Sequence, residues 1–429
     1  MSERLWIEPA LTSARPRAVS ALMRYFRDLD RAEEAFQDAC LRALKSWPLN
    51  GPPRDPTAWL IFAGRNSGVD GIRKTARTTA LPPEDQLSDL GDAEADMADR
   101  LDQSHYRDDI LRLLFVCASP HLPATQQIAL ALRIVSGLSV AEIARAFLVS
   151  EAAMEQRITR AKARIAAAGA GFDTPDAPAR SARLAAVAAM IYLIFNEGYS
   201  RGAAPLARRA DLCQEAIRLS RLLLRLFPAE PEVMGLAALC LLQQSRADAR
   251  FDGEGGIVLL EDQDRSRWNR PMIAEGLALV DKALRHRRPG PYQIQAAIAA
   301  LHARAGTAGE TDWREIALLY RVLERLEPSP VVTLNRAVAV SKDEGAGAAL
   351  ALVEPLAAAL EGYFYFHGVR GGLLMALGRG PEARIAFNRA IALATTAAEA
   401  SHIRLHLDRL AGSAVPVGDF SGADVGATP

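Results

Sequence analysis

The stretch EAAMEQRITRAKARI, residues 151–165, sets Gln156, Arg157, Arg160, Lys162 and Arg164 around Ala153, Met154, Ile158 and Ala161. The apolar residues recur at helical spacing and can face inward. That leaves Glu151, Ala152, Glu155, Gln156, Arg157, Thr159, Arg160, Lys162 and Arg164 outward. Gln and Arg side chains can pair bidentately with adenine and guanine edges, so Gln156 or Arg157, near the helix start, could read bases. Arg160, Lys162 and Arg164 lie farther along, where they would meet phosphates and fix register without specifying sequence. The other reading is a solvated basic helix. A second polar set, Arg65, Asn66, Asp70, Arg73 and Lys74, advances by steps that bring several to one side of a helix, beside the apolar and aromatic Trp59, Leu60 and Phe62. A third set lies in LLEDQDRSRWNR: Glu261, Asp262, Asp264, Arg265, Arg267 and Trp268 could bind a peptide or small ligand, or seal a structural interface with ion pairs. None of this is enzyme chemistry. The chain has no G-x-S-x-G, no H-E-x-x-H and no Walker-type glycine loop, and no cofactor is expected.

The basic helix needs a mount. Ser139 followed three residues later by Glu142 is a capping box, which predicts a helix from Val140 through Phe147. Leu148 and Val149 break the pattern, and Ser150 is a good N-cap for a second helix from Glu151. A connection of three or four residues is the length found in a helix-turn-helix, whose second helix enters the major groove. The Arg65 set follows WPLNGPPRDP, where Pro48, Gly51, Pro52, Pro53 and Pro56 predict a turn between two flanking helices. Gly64, Gly68 and Gly71 weaken the second of these by about 1 kcal/mol each relative to Ala.

Half of the 429 residues are hydrophobic, only 6% are aromatic, and strand-like alternation is scarce, so an all-α protein is expected. The formal net charge is zero; nucleic-acid binding must therefore come from local basic faces. Cys40, Cys117, Cys213 and Cys240 stand far apart with no zinc-ligand spacing, and read as buried thiols with no metal. There is no secretory signal, and the longest apolar run, Leu184 to Phe195, is too short to span a bilayer; a cytoplasmic protein without a membrane partner is expected. Ten acidic residues against two arginines between Glu84 and Asp109 make a solvated linker.

Farther along, small or apolar residues at offsets zero, four and seven recur as Ala216, Ser220 and Leu223, Gly276, Val280 and Ala283, Ile316, Tyr320 and Leu323, Ala349, Val353 and Leu356, and Ala383, Phe387 and Ala390. The last three sets start 33 and then 34 residues apart, and Pro228 and Pro328 fall where a helix should stop. The spacing resembles the tetratricopeptide repeat, which implies a solenoid of paired helices. A non-repeating bundle is the other reading.

AEEAFQDACLRALKSWP, residues 32–48, and DPTAWLIFAGRNSGVDGIRK, residues 55–74, resemble region 2 of the sigma-70 family in its extracytoplasmic-function class. Residues 110–168 correspondingly resemble region 4, in the family's order and across an acidic linker. The C-terminal part, through RLAAVAAMIYLIFNEGYS (183–200) and LLEDQDRSRWNR (259–270), is similar to the subgroup with a tetratricopeptide-like extension.

The resemblance implies these divisions: region 2 over 8–76, the acidic linker over 77–109, region 4 over 110–168, a connecting helical segment over 169–205, a repeat domain over 206–412 and a disordered tail over 413–429. It implies that the helix from about Ala32 to Ser46 binds core RNA polymerase, with Glu33, Glu34, Gln37, Asp38 and the adjoining Trp47 as contacts. Trp59 to Lys74 would receive the minus-ten promoter element, whose unstacked bases are held by pockets and cations. Arg65, Arg73 and Lys74 would then meet phosphates, and Asn66 and Asp70 would lie nearer the bases. The minus-thirty-five reader would comprise Ser150, Glu151, Ala152, Glu155, Gln156, Arg157, Arg160, Lys162 and Arg164. The expected protein is a sigma factor whose partners are core polymerase, promoter DNA and an unknown protein or ligand at the repeat domain. The alternatives are a helix-turn-helix activator with a sensing repeat domain, or a repeat-type interaction scaffold.

Overall fold

A computed structural model describes residues 6–76, 110–167, 177–200 and 206–412, apart from residues 52, 111, 148, 253–255 and 395 within those spans. The acidic linker and the C-terminal tail lie outside the described residues. The chain divides into two compact units, Met1–Leu193 and Ile194–Pro429. Every regular element described is helical, and the only extended pairing among the described residues is an isolated bridge between Phe251 and Ile257.

The first unit opens with α1 (Ile7–Phe26), α2 (Leu29–Asn50) and α3 (Pro56–Ala76), which pack on one another. The break between α1 and α2 is made by Arg27, left-handed at φ 53°, and by Asp28, whose carboxylate accepts a hydrogen bond from the Arg31 N–H at the start of α2. The apolar pattern predicts two helices here, and the structure has three. Pro48 was also expected outside any helix, yet it sits in the last turn of α2. Pro48 has no N–H to give the Leu44 carbonyl, but only that one bond is forfeited so close to the helix end, and the ladder resumes beyond it, with the Gly51 N–H donating to the Trp47 carbonyl at 3.0 Å. Pro56 opens α3 at its first position, where the missing N–H would have had no partner.

After a helical stretch over 112–117 come α4 (Ala124–Ile134), α5 (Val140–Ala146) and α6 (Glu151–Ala167), mutually packed. Cys117 is buried here, while Cys40 on α2 is only half-buried. The division between the units falls inside α7 (Ala177–Ser200), within what was expected to be a connecting segment.

The second unit continues through α8 (Leu206–Leu226), α9 (Pro231–Gln244), α10 (Arg270–Leu284), α11 (Pro291–Arg304), α12 (Trp313–Leu326), α13 (Pro330–Asp343), α14 (Ala346–Val353), α15 (Phe364–Ala376), α16 (Gly380–Leu393) and α17 (Ala397–Gly412). Each packs on its successor, and α9 on α11, α13 on α15 and α15 on α17 as well. This is the contact pattern of helical hairpins stacked in series. The periodic small or apolar residues do most of the packing: Ala216, Ser220, Leu223, Ala349, Val353, Ala383, Phe387 and Ala390 are all fully buried, whereas Tyr320 and Leu356 are half-buried. Small residues allow close approach. A Cβ added to Gly235 on α9 would come within 2.6 Å of the Gln293 backbone nitrogen on α11. Among the described residues no helix is long and apolar enough to cross a membrane.

Candidate nucleic-acid interface

The helix-turn-helix forms as its caps dictate. The Ser139 hydroxyl accepts from the Glu142 N–H at 3.2 Å, and the Glu142 carboxylate accepts from the Ser139 N–H at 2.7 Å. Those bonds from Ser139, side chain and backbone, hold the Glu142 carboxyl below its usual pKa. The Ser150 hydroxyl accepts from the Ala153 N–H at 3.2 Å and so starts α6. Met154, Ile158, Ala161 and Ile165 are buried and fix the roll of α6; Ala153, expected inside, is exposed. Ser150, Glu151, Ala152, Glu155, Gln156, Arg160 and Arg164 are exposed, and Arg157 is half-buried. Arg164 donates to the Gln126 side chain at 3.1 Å. The face therefore presents Gln156, Arg157 and Arg160 together, with no carboxylate from α4 or α5 bonded to them.

Lys162 does something else. Its ammonium lies 3.0 Å from Glu33 Oε2 and 2.5 Å from Asp30 Oδ1, both on α2, and its side chain is only 19% exposed. Burial pulls its pKa down, but the hydrogen bond to Asp30 and the charge of Glu33 outweigh that, and the net shift is upward. Glu33 Oε1 also takes Arg15 of α1 at 3.2 Å and Arg133 of α4 at 3.1 Å. Arg15 goes on to donate to the Ile134 and Arg133 carbonyls at 3.1 and 3.0 Å, at the C-terminal end of α4. One carboxylate thus gathers cations from three helices, two of them belonging to the helix-turn-helix block.

Two expected contacts on α2 are inaccessible. Glu33 is buried under these ion pairs, and Trp47 is 2% exposed, stacked on Trp6 with centroids 5.6 Å apart and edge-on to Trp59 at 5.4 Å. Both are corrected from surface contacts to interior groups: the carboxylate satisfies buried cations, and the indole fills the core of the three-helix block. Glu34, Gln37 and Asp38 are exposed, and Leu41 (59%) and Leu44 (53%) continue the same helix face. Nothing in the apolar pattern of the sequence sets these two leucines apart; large apolar side chains left open in successive turns of one helix face mark them in the structure.

On α3, Trp59 is half-buried against Trp47, Arg65 lies 4.3 Å over the Tyr25 ring, and Asn66 is exposed. Asp70, Arg73 and Lys74 lie in its later turns, and their side chains are outside the described residues.

The six side chains of LLEDQDRSRWNR do not converge. Arg265 points inward, donating to the His302 and Ala305 carbonyls at 2.6 and 2.8 Å and lying 4.6 Å from the ring centre of Trp268, itself 2% exposed. Burial lowers the Arg265 pKa, with the neighbouring charge of Arg246 adding to the effect. Glu261 reaches Lys342 of α13 at 3.1 Å. Asp262, Asp264 and Arg267 remain exposed, with Asp264 accepting from the Ser266 N–H at 2.9 Å. The arrangement clasps the end of α11 to the segment before α10. No group of three or more potential metal ligands occurs among the described residues.

Comparison with known proteins gives three regional matches and one over nearly the full length. Residues 11–78 match sigma-70 region 2, residues 112–165 match sigma-70 region 4, and residues 183–284 match a family of unknown function, DUF6596. An uncharacterized protein of Rhizobium meliloti (strain 1021) is 72% identical over 419 residues, covering 98% of this chain and 99% of the relative. No solved structure matches.

Proposed function

Because the chain belongs to the sigma-70 family, with regions 2 and 4 in its first unit, we propose that it is a sigma factor of the extracytoplasmic-function class, binding core RNA polymerase in the cytoplasm and directing it to specific promoters. The observation that carries this reading is the capped helix-turn-helix, presenting Gln156, Arg157 and Arg160, in the same compact unit as the region 2 helices. In this account α6 reads the minus-thirty-five element and α3 receives the minus-ten element. The polymerase-facing surface of α2 is the strip of Glu34, Gln37, Asp38, Leu41 and Leu44, a mixed acidic and apolar face that suits a basic, partly apolar helical partner.

The second unit regulates this activity or docks a partner as a tetratricopeptide-like solenoid. Its serial helix contacts and buried zero, four and seven residues support that reading. Such stacks expose an extended surface suited to protein or ligand binding.

The test is direct association of the full chain with purified core polymerase. A stable complex is expected, weakened about tenfold or more by Leu41→Glu, which places a charge where apolar surface should be buried. Failure of the unmodified chain to bind core polymerase would overturn the reading and favour an activator that binds duplex DNA unaided.

A further inference from the structure

Three helices of the second unit finish along one edge, and each carries a cation in its last turn. Arg221 of α8 pairs with Glu275 of α10 at 2.5 Å, and the Lys282 ammonium of α10 donates to the Pro228 carbonyl, just past the end of α8, at 3.3 Å. The two helices therefore run parallel and end side by side. α12 returns antiparallel to α11, which starts directly after the turn that follows α10, so its last turn reaches the same edge. Arg225, Lys282 and Arg325 occupy those three last turns. The turn after α10, RHRRPG over residues 285–290, adds Arg285, Arg287 and Arg288.

All six of these cations are exposed, whereas the carboxylates at this edge, Glu230, Glu232 and Glu327, are half-buried. Glu232 is engaged inward, accepting from the Tyr292 and Gln293 N–H groups at 3.2 and 3.1 Å at the start of α11. Among the described residues, Arg288 is the one cation of the six that meets a carboxylate, reaching Glu230 at 3.8 Å. Cations in last turns suit the helix dipole, but the dipole does not account for Arg287. That residue holds φ +53°, a left-handed conformation that glycine adopts without strain. Its turn is fixed: the Arg287 N–H donates to the Leu284 carbonyl at 3.1 Å, and the Gln293 side chain donates to the Arg288 carbonyl at 2.7 Å. A strained arginine held in a row of exposed cations makes a built basic edge, about 20 Å across at about 10 Å per helix layer.

We propose that this edge of the second unit binds the phosphate backbone of duplex DNA without regard to base sequence, giving the chain a DNA contact beyond the promoter-reading helices. The chain has no net charge, so attraction to a polyanion has to come from a local face of this kind. Five of the six cations are arginines, whose planar fork meets phosphate oxygens in pairs. Duplex DNA carries one charge about every 1.7 Å along its axis, so an edge of this width faces enough phosphates to engage all six.

Fluorescence anisotropy of the full chain with a labelled duplex of about 30 base pairs and arbitrary sequence tests this. It is run in the Arg157→Ala/Arg160→Ala background, so that α6 does not mask the edge. Binding is expected to persist there. Adding Arg285→Gln, Arg287→Gly and Arg288→Gln should weaken it about a hundredfold at about 0.1 M salt and reduce the logarithmic salt slope by about 3. Arg287→Gly alone should leave the thermal midpoint no lower, because glycine fits the turn, and still reduce the slope by about 1. Core polymerase binding should be unchanged by the three substitutions. No DNA binding in the background variant, or binding and salt slope unmoved by the three substitutions, would overturn the proposal. So would DNA affinity retained with core polymerase binding lost, which would make the edge a protein-docking surface. Failure of the unmodified chain to bind core polymerase bears on the sigma-factor reading and not on this edge.

Discussion

Glu33→Ala is expected to destabilise the first unit by about 3–5 kcal/mol, the cost of removing one partner from a buried ion-pair cluster. The side chains of Glu33 and Arg15 are 6% and 9% exposed, and Arg133 and Lys162 also close on the same carboxylate. Without it, three cations face one another around a gap that water reaches poorly. Asp30→Ala makes the contrast. Asp30 takes the same lysine at 2.5 Å, but its side chain is 70% exposed, so its loss should cost no more than about 1 kcal/mol. Trp6, Trp47 and Trp59 cluster in this unit and report on its unfolding. In urea, Glu33→Ala should shift the fluorescence midpoint of that transition down by about 1–5 M, at a slope of about 1–3 kcal/mol per M. Equal and small shifts for the two variants would show that the cluster contributes little to the fold.

The Arg157→Ala/Arg160→Ala double variant is expected to lower promoter-directed transcription by about a hundredfold or more at limiting protein. Each lost direct contact is worth about 1–3 kcal/mol. Both side chains point away from the buried Met154, Ile158, Ala161 and Ile165, and Ala is a strong helix former, so α6 should survive the change. The two arginines should separate by their salt dependence. Arg160→Ala, removing a phosphate contact, should weaken all sequences alike and reduce the logarithmic salt slope by about 1, whereas Arg157→Ala should relax discrimination at one base pair. Binding to core polymerase in the absence of DNA should be unchanged, because neither residue lies on α2. Wild-type transcription by the double variant would remove α6 from the promoter interface.

What could be read from sequence was what local chemistry decides. Ser139, Glu142 and Ser150 specify two helix starts within a dozen residues, and the structure uses all three as caps. The zero, four and seven spacing marks residues that must be small because helices close on them, as Ala349, Ala383 and Ala390 do. What could not be read were decisions made by distant residues. Glu33 looked like a surface acid at a helix start; its partners Arg133 and Lys162 lie 100 and 129 residues away. Lys162 looked like one more outward cation on α6, because helical periodicity gives its direction but not the neighbouring helix it meets. Trp47 looked like a surface aromatic beside a proline turn, until Trp6, from a different helix boundary, closed over it. The break at Arg27 and Asp28 is locally encoded by an N-cap aspartate, but the apolar pattern runs across it and hides it. Leu41 and Leu44 carry the opposite lesson. Periodicity cannot distinguish an apolar residue kept for the core from one left open for a partner.

The most direct test of the account is run-off transcription with core polymerase lacking any other sigma factor, on genomic fragments, with start sites mapped. The full chain is expected to produce discrete transcripts from a small set of promoters sharing two sequence elements at fixed spacing, and none when either core polymerase or the chain is omitted. Transcription no different from core polymerase alone, under conditions where another sigma factor supports initiation, would contradict the assignment.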